Sequence, residues 1–368
     1  MGCCRIYFPV HQIGFAPDGS ETFTAAHGVQ SVGINTTFNL EQVFELGQLE
    51  IYENIEDRPD IEVTTQKVLD GYPPIYLMAT QGAATATLAG RSVPKVLGSL
   101  TIFDAANDSS SGIPKAQVTM SGLQVSSLTY TFPTEGNFTE DVTLVGNHKE
   151  WNKAAPFTFS GAFTTNADVP ISIAGSGGVN RREDLLFAST VVGATPLDSN
   201  NHVIDPNSTV LPGGTFGGIL GISSSGVNNT NTDGSHVVCV QNITVTTNLG
   251  REEIFCLGRK TPSCRFVTFP IEVTTDIEVL TCSGDCIDAT EAGAAGNGDN
   301  INNKSIRIAA REGLRLTLGV NNKLQSISYQ GGSTGGENVT ITYSYTNFNN
   351  LTVEHWNDPT ASLKIDQL

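Results

Sequence analysis

Charge is scarce in this chain and unevenly divided. Asp, Glu, Lys and Arg make up 15% of its 368 residues, against roughly 25% in ordinary soluble domains. Gly, Thr, Asn and Ser fill the gap, a composition that reads as β structure with many turns rather than as helices or disorder. The 20 basic residues are outnumbered by 37 acidic ones, for a net charge of -17. That argues against general nucleic-acid affinity, which needs Lys and Arg to displace counterions, because an acidic surface repels phosphate. No apolar run reaches the roughly 18 residues of a membrane-spanning helix. The start, MGCCRIYFPV, lacks the charged segment, apolar core and cleavage site of a secretory leader. Ile6 stands where a myristoylated Gly2 wants Ser or Thr. The expectation is an intracellular product with no lipid anchor.

Motifs that carry chemistry are also missing. There is no phosphate-cradling Gly-rich loop, no dinucleotide fingerprint, no HExxH and no GxSxG. The six His stand apart. Acidic pairs such as Glu50 and Glu53, or Glu56 and Asp57, have glycosidase chemistry but sit in alternating strand-like text, where a solvated face explains them. The aromatic content of 7% does not favour glycan subsites. Around Asp299 the calcium-loop pattern is absent. Sequons at Asn137, Asn242 and Asn338 follow from Asn/Thr-rich strands. The reading is a protein without enzymatic activity, metal or cofactor. Of the seven Cys, Cys3 and Cys4 stand at the N-terminus and the other five crowd into the second repeat. Buried thiols are the plain interpretation. Cys256, Cys264, Cys282 and Cys286 are the candidates for disulfides formed after release, and their spacing is not that of a zinc ribbon.

What the chain does have is a repeat. Ile34 to Leu69 is echoed by Ile243 to Leu280: Asn39-Leu40 answers to Asn248-Leu249, and Phe44, Leu46 and Gly47 to Phe255, Leu257 and Gly258. Ile61-Glu62-Val63-Thr64-Thr65 recurs unchanged as Ile271-Glu272-Val273-Thr274-Thr275. Both copies close on a Leu-Gln strand (Leu123-Gln124, Leu324-Gln325), a Gly-bearing turn and a Trp, Trp151 or Trp356. Collinear landmarks of this kind mark two copies of one β unit.

In chain order the expectation is an arm over residues 1–33, with a short strand at Ile6, Phe8 and Val10 and a turn at Asp18-Gly19. A first β domain spans 34–160, with one helix beginning at Pro74, a strand over Gly98–Asp104, and a hairpin turning at Pro133–Asn137. A Gly/Asn/Ser-rich linker spans 161–236 with a short ordered piece at Asp184–Ala188. A second β domain follows over 237–357, then a tail over 358–368. Within the strands, apolar and acidic residues alternate, placing one face on a core and a row of carboxylates on the other.

The text from Glu45 to Thr80, followed by Thr129 to Trp151, resembles tail tube proteins of tailed bacteriophages. The features that carry the resemblance are Leu46-Gly47, the strand Pro59 to Thr64 and the hairpin Phe132 to Glu140. It covers residues 34–151 and reaches 237–357 through the repeat. It implies two tandem tube-fold β-sandwich or barrel domains, each with at most one short helix. It further implies strands that join those of neighbouring subunits into an inner barrel, and rings that stack into a tube conducting DNA. With two copies per chain, three chains make a pseudo-sixfold ring. Partners implied are further copies of the chain and other tail proteins: terminator, baseplate, tape measure, and a sheath if the tail contracts. Genome DNA passes through unbound, and no membrane is involved. Location in the virion tail, after assembly in the host bacterial cytoplasm, is implied likewise. Glu50, Glu53, Glu62, Glu272 and Glu278 are the candidate carboxylates of the tube lumen. Distal-tail, baseplate-hub or terminator roles are the alternatives on the same fold. A β-rich binding or adhesion module is the alternative outside it.

Overall fold

A computed structural model describes residues 7–20, 22–83, 85, 87–103, 114–152, 159, 160, 162, 163, 171, 172, 178–186, 239–258, 262–280, 306–310, 313–319, 321–330 and 338–355. The N-terminal half supplies β1 (His11–Pro17), β2 (Phe23–Ala25), β3 (Val29–Phe44), β4 (Ile51–Val68), β5 (Val96–Ile102), β6 (Ala116–Pro133), β7 (Thr139–Gly146) and β8 (His148–Asn152). Helices α1 (Ile75–Ala79) and α2 (Leu88–Arg91) lie between β4 and β5. Four two-residue strands follow: β9 (Phe159–Ser160), β10 (Ala162–Phe163), β11 (Ile171–Ser172) and β12 (Leu185–Leu186). The C-terminal half holds β13 (Cys239–Asn248), β14 (Glu252–Ile254), β15 (Cys264–Phe266), β16 (Glu272–Leu280), β17 (Arg307–Ala310), β18 (Arg315–Thr317), β19 (Lys323–Gln330), β20 (Thr340–Phe348) and β21 (Thr352–Glu354).

The fold is mainly β, as its composition indicates. One long antiparallel run of strands has the order β3-β4-β7-β6-β13-β16-β20-β19. Its first four strands and its last four repeat one pattern. In each, the first strand pairs the second, the second pairs the fourth, and the fourth pairs the third. The halves meet where β6 hydrogen-bonds β13, from Ser127 opposite Asn248 to Pro133 opposite Asn242. Both fourth-to-third ladders carry a bulge, between Val125 and Ser127 in β6 and between Leu324 and Ser326 in β19. Past the bulge, Ser127-Leu128-Thr129-Tyr130 matches Ser326-Ile327-Ser328-Tyr329.

These ladders correct the sequence alignment in detail. The shared Leu-Gln landmarks are not structural equivalents, because the bulges place Tyr130 with Tyr329. Likewise Ile34 faces Val63, yet Ile243 faces Ile277 and Val273 faces Thr247, a slip of four residues. An even slip keeps each side chain on its face, so the pattern tolerates it where an odd slip would turn the core outward.

β6 is long because it serves two layers. Its first half pairs β5 and β8, and its second half pairs β7 and β13. The chain turns between them at Gly122, whose φ of +67° suits glycine, and at the bulge. β5, β1 and β2 continue the second layer. In the C-terminal half β12-β17-β18-β21 forms the matching layer. One core runs between the layers through both halves, with Val63, Leu128, Tyr130, Leu144, Ile243, Ile277, Leu316 and Tyr345 fully enclosed. Such a core wants alternating apolar residues on one face of each strand, which is the pattern read from the sequence.

The strand expected around Ile6–Val10 lies further on. Phe8–Val10 is a 3-10 turn, and the strand is β1, lying against β5 in the N-terminal half's own sheet. The turn at Asp18-Gly19, the helix after Pro74 and the hairpin turn after Pro133 stand where expected. The strand expected at Gly98–Asp104 is β5, while α2 had no clear signal. The ordered piece near Asp184 is a 3-10 turn, Arg182–Asp184, leading into β12. Asn107–Gly112, most of 161–236, 281–303 and Trp356 lie outside the described residues.

Helix α1 follows two prolines and leaves its first N–H groups without partners in the helix. Glu140, on the core face of β7, meets them. Its carboxylate accepts from the backbone N–H of Ile75 at 2.6 Å and Tyr76 at 3.1 Å, and from the Tyr130 hydroxyl at 2.8 Å. Glu140 is fully buried, and desolvation raises its pKa above the usual carboxylate range against the opposing pull of those donors. A raised pKa means the folded state holds the proton more tightly than the unfolded chain. This contribution to stability is therefore present below the ordinary carboxylate pKa and is lost as pH rises through the raised value. Glu140→Ala strands three buried donors and is expected to cost about 3 kcal/mol or more. Glu140→Gln is expected to cost less and to flatten the stability profile across that window, as read by denaturant melts at a series of pH values.

Candidate assembly surface

The long sheet has one covered face and one open face. Ladder registers place the open-face residues in strips across the strands. One strip reads Ser31, Gln66, Asp141, Thr129, Thr246 and Thr274, and ends on Thr346, which is buried and donates to Gln325. Its neighbours bring Thr64, Thr143, Thr131, Thr244, Ser344 and Ser328 to the same face. The result is a carpet of hydroxyls, β-branched for strand propensity and polar for water. Carboxylates punctuate it: Glu62, Asp141, Glu272, Asp276 and Glu278. Asp276 accepts a hydrogen bond from Ser344 at 2.6 Å. Lys323 is the cation that the described ladders place on this face.

Three of the five sequence-nominated carboxylates, Glu62, Glu272 and Glu278, therefore share the open face. Glu50 and Glu53 do not join them. They belong to the far end of the β3–β4 hairpin, beyond Ile61, where β7 stops pairing β4. Asp141 and Asp276 were missed, although the alternation in Thr139–Val145 and Val273–Val279 carries their signal.

The sheet has two unpartnered edges among the described strands, β3 at one end and β19 at the other. Their side chains show what is missing. Tyr130, beside β13, is 0% exposed, whereas Tyr329 at the β19 edge is 54% exposed. On β3, Val32 and Ile34 are only partly buried against the core.

Below the junction of the halves, β14 and β15 form a hairpin that lies across the end of the N-terminal half. Arg251 donates to the carbonyls of Val125 (2.7 Å) and Ser92 (2.8 Å), and burial lowers its pKa to about 10. Arg265 donates to the carbonyls of Gly122 and Val145 and to the Asn147 side chain. Glu253 bridges Arg265 and Arg58, and the Arg58 guanidinium stands 4.6 Å over the Phe255 ring. Sequence reading gave these residues no role. An isolated Arg in a turn carries no signal of which carbonyls it will reach.

Cys256 and Cys264, both on this hairpin, carry unpaired thiols. Cys282 and Cys286 lie outside the described residues. Among the described residues no His, Cys, Asp and Glu group is arranged to hold a metal ion, and no helix is long and apolar enough to cross a membrane.

No family model matches the sequence, and no curated protein matches it. Several solved structures are similar to part of it. One is from the baseplate of the anti-feeding prophage, at 10% identity over 42% of this chain and 100% of that chain, with a TM-score of 0.32. A second is from the sheath–tube complex of an extracellular contractile injection system in the extended state, at 11% identity over 41% and 93%, with a TM-score of 0.31. A third is from the tube-terminating cap of the anti-feeding prophage, at 10% identity over 42% and 95%, with a TM-score of 0.31. Likeness at this level does not identify a function.

Proposed function

We propose that this chain is a structural subunit of a phage-type tail tube. Three copies close into a pseudo-sixfold ring, rings stack, and the open hydroxyl-and-carboxylate face lines the bore through which DNA slides. The observation that carries this reading is the junction of β6 with β13. It joins two four-stranded runs of the same order, and the chain ends with the same two kinds of edge exposed. β19 is to β6 what β3 is to β13. A β19 edge that takes β3 of another copy repeats the internal junction, and a closed ring leaves no edge exposed.

The ladders supply a register for that joint. In the N-terminal half, Ser31, Gln66, Asp141 and Thr129 lie in one strip; in the C-terminal half, Asn242, Glu278, Thr342 and Ser328 do. Crossing the internal junction, Thr129 meets Thr246, four residues beyond Asn242. The same step from Ser328 lands on Asn35, four beyond Ser31. A constant stagger per unit is what closure of tilted strands requires. Asn35→Cys with Ser328→Cys is expected to oxidise into covalent three-chain circles under native conditions. Pairs using Gly33→Cys or Thr37→Cys are expected to give little. Absence of interchain disulfide in all three pairs contradicts the edge-to-edge joint.

A further inference from the structure

From Phe38 to Tyr52, the far half of the β3–β4 hairpin carries apolar side chains that stand exposed in its own chain. Phe38, Leu40, Phe44, Leu46, Leu49 and Tyr52 are all exposed, Leu46 and Leu49 completely. A contiguous set of this size on a single arm marks an interaction site rather than scattered surface apolars. The chain itself holds a template for its position, because the equivalent hairpin of the other half, β14–β15, is docked through Arg251 and Arg265, with Phe255 and Leu257 still exposed. It crosses beneath β6 and β7 and reaches the foot of β4, where Phe255 lies against Arg58.

We propose that the far half of the β3–β4 hairpin docks across the end of the C-terminal half of an adjacent copy in the same ring. That copy is the one whose β19 takes β3, so the proposal rests on the ring reading above. The receiving end differs from its internal counterpart in a complementary way. Arg251 and Arg265, which clamp the internal joint, align in sequence with Gln42 and Ile55, and between Phe38 and Asp57 the β3–β4 arm carries no Lys or Arg. On the receiving side, Asn147, which takes Arg265, corresponds through the ladders to Phe348, which is 60% exposed. Arg58, which receives Phe255, corresponds through the same ladders to Pro270, next to Phe269, which is 76% exposed. The internal joint is thus a polar clamp and the joint between chains an apolar one. Lys323 at the receiving edge meets an arm that carries Glu41, Glu45 and Glu53. The occupant is accordingly a second copy of this chain, seated sideways rather than end to end.

The test places the photo-crosslinker p-benzoylphenylalanine at position 44, the counterpart of Phe255, in the full chain. Single rings are isolated from stacks before irradiation. The expected result is a crosslink from position 44 to the segment 266–270 of another chain, mapped by mass spectrometry. Phe269→Ser with Phe348→Ser is expected to raise the midpoint concentration for ring formation at least tenfold, with the monomer's melting temperature unchanged. Rings that form normally but crosslink elsewhere, or only when stacked, overturn the proposal and leave the ring reading standing. Failure of the wild-type chain to form rings at any concentration overturns the ring reading, and this proposal with it.

Discussion

A proline at the outer edge of β19 is expected to leave the chain folded and abolish rings. Along β19, successive N–H groups point alternately toward β20 and toward the open edge. Of Ser328→Pro and Tyr329→Pro, one therefore breaks the ladder to β20 and the other removes only an outward donor. The first loses melting temperature. The second is expected to melt within about 2 °C of wild type, since edge strands tolerate proline where the N–H faces outward. Its effect falls on the joint between chains, where the ring displaces one hydrogen bond and holds the neighbouring strand away. With each net hydrogen bond at roughly 1 kcal/mol and about 1.4 kcal/mol per factor of ten, loss of two or three such bonds plus the packing on Tyr329 weakens association at least 100-fold. Sedimentation velocity beside thermal melts separates the two effects. Rings at wild-type concentrations in both variants would exclude β19 as an assembly edge.

Neutralising the open face is expected to impair DNA passage without touching assembly. The combined Glu62→Gln, Asp141→Asn, Glu272→Gln, Asp276→Asn and Glu278→Gln chain keeps size and hydrogen-bonding capacity at every position. Ring joints run through backbone pairing and the covered face, so the joints stay intact. What changes is the field in the bore. A wall of one sign, enclosed by low-dielectric protein, focuses its potential on whatever passes, and such focusing shifts rates by roughly 10–1000-fold. With the carboxylates gone, hydroxyls and amides still hydrogen-bond phosphate, and nothing pushes it off. DNA exit from particles carrying the variant is expected to slow about tenfold at low salt. The difference should shrink as ionic strength rises and the Debye length falls to about 8 Å near 0.15 M. Exit kinetics equal to wild type at low salt would show that the open face is not the bore.

How much of this was legible beforehand depends on the kind of interaction. Alternation of apolar and polar residues placed β3, β4, β6, β7, β13, β16 and β20 and put Glu62, Glu272 and Glu278 on the face away from the core. The even slip of β13 on β16 was invisible, since it costs no change of face. The joining of the halves was not legible either. Ser127–Pro133 and Asn242–Asn248 read as strands, but no pattern in either says that they pair across more than a hundred intervening residues. Glu50 and Glu53 misled because their alternation continues past the point where β7 ends, and a hairpin with water on both sides keeps a strand's rhythm. Glu140 reads as one more acidic residue in an alternating strand. Only the fold reveals it as the buried acceptor for the start of α1.

The central claim is that one chain supplies two of six like units in a closed ring. Electron microscopy of the purified protein, with class averages along the particle axis and scanning-transmission measurement of mass per ring, tests it directly. Hollow stacked rings with the mass of three chains each, about 117 kDa from the 39.0 kDa subunit and the pseudo-sixfold closure argued from the edges, are the result expected. A ring of six chains, or a monomer that stays monomeric at every concentration, would contradict it.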